Sequence, residues 1–181
     1  MTHYFINNLL LAKDLSDEQY SDIPSPRFEL HVHVLYKTVQ AGSILGMVVF
    51  GPLVGLVRGR SWTAVKAAAL KGGRIGAMIG VPMGPLMTEM TLSKAKATPE
   101  SIFDRCYRIR HNIGQVRTDR FCTIGSVVGT GVGVALGAGA FNGFVVGVVG
   151  STLSAGVYNN FINPPPKKSK EKEEEETEDK Q

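Results

Sequence analysis

Charge is missing over an unusually long stretch: from Phe121 to Tyr158, 38 residues, there is no Asp, Glu, Lys, Arg or His. Chemistry-bearing motifs are missing throughout. The chain has no Gly-x-Ser-x-Gly elbow, no His-Glu-x-x-His, no Walker loop and no dinucleotide fingerprint after a strand, so the residues point to a non-enzymatic protein that takes no cofactor. Gly129-Thr130-Gly131-Val132-Gly133-Val134 resembles a phosphate loop in composition only, because it lies in an apolar segment with no Lys to reach a phosphate. Metal ligands are scarce as well. His31 and His33 stand two apart, which places them on different sides of a helix, and no Cys or Asp cluster lies nearby. Cys106 and Cys122 are the only cysteines, and two free thiols are expected unless the intervening loop folds back in an oxidising compartment. The net charge of +4 comes without basic and aromatic residues interleaved for base stacking, so nucleic acid is not expected as a partner. No small-molecule substrate is identified. Phe5 to Ala12 is too short for a secretory signal, and Asp14, Asp17, Glu18 and Asp22 do not suit a cleavable presequence.

What is present is glycine, 21 of 181 residues, concentrated in apolar runs. As one helix, the uncharged stretch would measure about 57 Å, roughly twice the ~30 Å hydrocarbon core of a bilayer. It must fold back, and Phe141-Asn142-Gly143 offers residues that tolerate a tight reversal. Small residues recur four apart at Gly125, Gly129, Gly133 and Gly137 in the first arm, and at Gly139, Gly143, Gly147, Ser151 and Ala155 in the second. Such spacing makes a smooth helix face against which another backbone packs closely.

Two further apolar runs precede these arms. Val39 to Val57 has Gly42 and Gly46, with Pro52 expected to kink it. The next carries Gly72, Gly76, Gly80 and Gly84, with Pro82 and Pro85 expected to interrupt it and Glu89 near its far end. Gln40 and Glu89 are the candidate intramembrane polar residues. Between the two runs, Arg58, Arg60, Lys66, Lys71 and Arg74 form a basic first loop around Trp62, and Arg58, Arg60, Trp62 and Lys66 are candidate lipid contacts, cardiolipin included. A second loop, with seven basic residues against five in the first, contains a helix start at Thr98-Pro99-Glu100-Ser101 and reads as an interfacial helix.

The expected fold class is an all-α membrane protein. It has a polar or interfacial segment over residues 1–38, a four-span domain over residues 39–161 and a disordered charged tail over residues 162–181. The spans fall near 39–57, 72–91, 121–140 and 143–161.

The four short spans, the glycine stripe in each, the basic residues Arg58 and Arg60 after the first, and the lack of a cleavable presequence cover about two thirds of the chain. In these features it resembles the inner-membrane channel family of the mitochondrial protein-import translocases, which includes an accessory membrane subunit of respiratory complex I. Departures are the paired prolines of the second span, the long second loop around Tyr107 to Asn112, between Ser93 and Arg120, and the acidic tail. The resemblance implies a multi-pass protein of the mitochondrial inner membrane, with the first loop in the matrix and both termini in the intermembrane space. Three functions follow as expectations. The first is a subunit or assembly factor of an inner-membrane complex, akin to the complex I accessory subunit, whose glycine stripes receive helices of other membrane subunits. The second is part of an import translocase or small-solute path lined by Gln40, Thr88 and Glu89. The third is a lipid-organising scaffold.

Overall fold

The computed structural model describes Ser16, Glu18 and residues 21–165, and these contain helices and no strand. Phe5 to Ala12 and the tail from Lys167 to Gln181 lie outside the described residues.

Helix α1, Pro26–Ile44, opens with proline in its first turn, where a missing N–H costs nothing. It passes through a π-helical turn, Leu45–Phe50, directly into α2, Gly51–Gly59. The widened turn lies just before Pro52, which has no N–H for the Val48 carbonyl and whose ring would crowd it. Residues 26–59 are thus one unbroken helical rod, and the boundary expected at residue 38 falls inside it. Arg60 ends the rod in the left-handed conformation, φ 49°, and its N–H bonds the Gly55 carbonyl at 3.2 Å.

Helix α3, Trp62–Lys94, begins at once, capped by the Ser61 hydroxyl accepting from the Ala64 N–H at 3.2 Å. The alanines at 64, 67, 68 and 69 favour this early start. Lys66, Lys71 and Arg74, expected in a loop, are therefore helical, and the loop shrinks to Arg60 and Ser61. Pro82 and Pro85 do not interrupt α3, contrary to expectation. The helix lies against α1 through this region, where the Thr38 hydroxyl donates to the Gly80 carbonyl at 2.7 Å.

Helix α4, Pro99–His111, starts where the sequence indicates, with the Thr98 hydroxyl accepting from the Ser101 N–H at 3.3 Å. Its buried residues, Ile102, Cys106 and Arg110, recur every four residues and so share one face. Asn112 separates it from α5, Ile113–Ala135, and accepts from the Gln115 N–H at 3.1 Å. This start lies eight residues before the expected span, so Arg117, Asp119 and Arg120 are helical too.

The reversal between α5 and α6, Ala140–Val157, occupies Leu136 to Gly139 rather than residues 141–143. Gly137 and Gly139 take φ of +68° and +91°, and the Gly139 N–H closes onto the Gly133 carbonyl at 3.0 Å. That conformation is cheap only for glycine, whereas Asn142 is helical and uses its side-chain amide to bond the Ala138 carbonyl at 2.7 Å. A π-helical turn, Tyr158–Ile162, finishes α6.

The chain thus makes two antiparallel hairpins, α1–α2 with α3 and α5 with α6. Ala77, Val145 and Val149 join them, with Val39, Met47 and Phe144 packed around. At the end opposite the two turns, α4 closes a second core of Ile23, Leu30, Leu92, Ile102 and Cys106.

Candidate functional site

Three arrangements of residues stand out: the glycine crossings, a buried polar network at the α4 end, and an apolar groove along the first hairpin.

The crossings are backbone on backbone. In the first hairpin, Gly42 faces Gly76, Gly46 faces Gly72, and a Cβ placed on Gly80 would stand 2.6 Å from the Thr38 carbonyl oxygen. One on Gly84 would run into Leu35. In the second hairpin, Gly129 faces Gly143, Gly125 faces Gly147, and a Cβ on Gly133 would stand 2.7 Å from the Gly139 oxygen. Gly137, expected in this packing series, has open space around it and serves the turn instead. These stripes are filled from within the chain. The glycines with open space are Gly131, Gly150 and Gly156, besides those of the turn.

The polar network begins with Arg110, whose side chain is 1% exposed and which grips Glu29 through Nε at 3.1 Å and through Nη2. Its Nη1 donates to the Asp22 carbonyl at 3.0 Å, so the guanidinium ties α4 to both α1 and the segment before it. Higher up, Asp119 of α5 accepts from Lys37 and from the Gln40 amide at 3.3 Å, while His33 stands 3.9 Å away. Lys37 also donates to the Gln40 oxygen at 3.1 Å, and the Tyr36 and Thr123 hydroxyls meet at 2.6 Å. These contacts tie α1 to α5. Cys106 and Cys122 are free and buried; the Cys106 thiol contacts the Pro26 carbonyl at 3.0 Å. Burial, then the neighbouring Glu29, push the Cys106 thiol up to about 11. At the start of α4, hydrogen bonds from its own backbone N–H and from Thr98 hold the Glu100 carboxyl below the usual range.

Gln40 is buried in this network, but Glu89 is not part of it. Its carboxylate is 43% exposed and pairs with Arg27 and with His31 Nε2 at 2.8 Å. Thr88 spends its hydroxyl on the Gly84 carbonyl of its own helix, 3.0 Å away. Gln40 thus faces Asp119 of α5, Glu89 pairs with the start of α1, and Thr88 bonds within its own helix. His31 and His33 likewise part, one toward Glu89 and the other toward Asp119, and the described residues hold no group of three metal-ligating side chains.

Sequence reasoning passed over Glu29, Lys37, Arg110 and Asp119. A signal was available: Glu29, His33, Tyr36, Gln40 and Ser43 recur at helical spacing on α1, as Asp119, Thr123, Ser126 and Thr130 do on α5. Each is a polar ridge on a helix whose other faces turn apolar.

At the turn end, Trp62 is 72% exposed and Lys66 Nζ stands 5.6 Å from its ring centroid, with Arg58 and Arg60 alongside in sequence and exposed. From there an open groove of about 830 Å³ runs along the first hairpin over the glycine crossing. Its walls include Leu45, Phe50, Ile75 and Ile79, and Arg58, Lys71 and Lys37 are the charged residues along it.

Two helical rods, residues 26–59 and 140–162, are long and apolar enough to cross a membrane, with 28% of each apolar window buried. The family described as a protein of unknown function (DUF1757) matches the chain over residues 5–158. No curated protein matches it.

Proposed function

The chain belongs to the DUF1757 family, and we propose that it is a four-span, non-enzymatic subunit or assembly factor of a membrane complex. The observation that carries this reading is inverted polarity. Val57, Met78, Val127 and Val134 are each more than 60% exposed, one or more on every long helix except α6, where Val157 is 53% exposed. Meanwhile Glu29, Gln40, Arg110 and Asp119 are buried. Water favours the opposite arrangement, and a hydrocarbon surround favours this one. The rods α1–α2 and α6 cross, α3 and α5 complete the bundle, and α4 lies at the interface with Phe103 and Tyr107 outward. Because the glycine stripes are occupied internally, partner helices dock on the outer faces, where Gly131 and Gly150 stand among Val127, Val128, Val146 and Leu153. The mitochondrial inner membrane, and a complex akin to respiratory complex I, rest on the resemblance of the spans and glycine series.

Alkaline carbonate extraction tests the membrane reading: the protein stays in the pellet, and its appearance in the supernatant would overturn it. Native gels of mild-detergent extracts test the subunit reading, with migration in a large complex expected and migration only near 19.5 kDa counting against it. A second reading, a lipid-organising scaffold, draws on Arg58, Arg60 and Lys66 beside the exposed Trp62.

A further inference from the structure

Lys71 is a cation without a carboxylate in an apolar place. It sits nine residues into α3, level with Gly46 of the facing rod, so it lies roughly 14 Å along the helix from Trp62 at 1.5 Å per residue. No ion pair is formed by Lys71 or by Arg58 among the described residues, whereas Lys37, farther along the same groove, is neutralised by Asp119. A bare ammonium at that depth is costly and needs an anion or a path to the headgroups. The groove supplies the rest of a binding site. Because the glycine crossing brings α1 and α3 into backbone contact, its floor is shallow and smooth, and its walls are aliphatic. Its volume of about 830 Å³ suits an elongated apolar group rather than a few waters.

We propose that this groove is a seat for one anionic phospholipid, its phosphate held between Arg58 and Lys71 and one acyl chain lying over Gly46 and Gly72 toward Ile75 and Ile79. The assignment rests on the membrane reading above. Charge complementarity selects the occupant: the turn-side half of the groove carries two cations and no acid, which a zwitterionic lipid satisfies less well and a partner helix of apolar residues leaves unpaired. The long Lys71 stem reaches along the wall and so adds apolar surface to the chain site while its ammonium meets the phosphate.

The experiment is native mass spectrometry of the full chain released from nanodiscs of phosphatidylcholine with one tenth phosphatidylglycerol. The expected result is one retained phosphatidylglycerol per chain. Lys71→Gln combined with Arg58→Gln lowers that retention about tenfold, Lys71→Arg preserves it, and Lys94→Gln, at the far end of α3 and off the groove, leaves it unchanged. Ile75→Trp, which fills the groove without touching a glycine contact, also removes the bound lipid. Equal retention of the two lipids, indifference to Lys71→Gln with Arg58→Gln, or a lipid-free dimer masking the groove would overturn the assignment while leaving the membrane reading intact. Failure of the chain to enter the nanodisc would overturn the membrane reading itself, and the groove assignment with it.

Discussion

The Arg110–Glu29 pair is the most deeply buried charge in the described residues, and its two members are not equivalent to a surface ion pair. Removing one partner strands the other as a buried, unpaired charge. Arg110→Ala is expected to destabilise by about 3–5 kcal/mol, and the double substitution Arg110→Met with Glu29→Leu to recover most of that loss. Thermal unfolding in detergent checks both; a double variant whose loss equals the sum of the losses of Arg110→Met and Glu29→Leu alone would show that the pair has no private coupling. Cys106, packed one turn earlier on the same face of α4, gives a pH test. Its folded value of about 11 lies above the ordinary 9, so the folded state keeps the proton that the unfolded state gives up. Its contribution is complete below pH 9 and fades as pH rises through 11. At pH 8, alkylation of Cys106 should be slow in the folded protein and rapid after denaturation; quick labelling of native protein would contradict its burial. The partners of these groups were not legible beforehand. Gln40 stands out in the sequence as a polar residue in an apolar run, but Asp119 is 79 positions away, and no local periodicity encodes that encounter.

Helix by helix, the glycines divide by what a methyl group would strike. A Cβ on Gly129 collides with the backbone at Gly143, which cannot retreat without parting α5 from α6. Gly129→Ala should cost about 1–3 kcal/mol by overpacking and Gly129→Leu more, whereas Gly131→Ala, in open space, should stay within about 1 kcal/mol of the parent. Gly137→Ala has room but the wrong backbone, and should cost about 1–2 kcal/mol. Melting temperatures of the three alanine variants rank these effects, and equal values for Gly129→Ala and Gly131→Ala would refute the crossing. The four-residue spacing made the crossings readable, since it is the period of one helix face. The turn was less readable, because Asn142-Gly143 and Gly137 to Gly139 both carry the residues a reversal needs. The closing bond from Gly139 to Gly133 and the positive φ of Gly137 and Gly139 distinguish them. The start of α3 was obscured for a similar reason: Lys66, Lys71 and Arg74 look like loop charges until the Ser61 cap and the alanines beyond it are weighed.

For the whole molecule, the four spans proposed above would fix which segments share a side. The turns at Ser61 and Ala138 belong together, opposite Lys96 and α4. With the native cysteines buried, single substitutions Ser61→Cys, Ala138→Cys and Lys96→Cys in sealed vesicles should label in two classes. The first two react from one face and the third from the other. Labelling of Ser61→Cys and Ala138→Cys from different faces would rule out four spans.

The register of the first hairpin also sets an order of manufacture. Gly55 lies against Val65 and Gly84 against Leu35, so the uncharged part of the first rod runs beside the part of α3 bearing Lys66, Lys71 and Arg74. The smoother part of α3 runs beside the part of α1 bearing His31, His33 and Lys37. The rod of residues 26–59 is long and apolar enough to cross a membrane by itself; under the four-span proposal α3, with its cations, would enter a bilayer only alongside that rod. At about 5–20 residues per second, the 33 residues of α3 take roughly 2–7 s to emerge. On that proposal the newborn rod would hold Gly42 and Gly46 bare for those seconds, open to any other small-faced helix until Gly76 and Gly72 of α3 arrive to cover them.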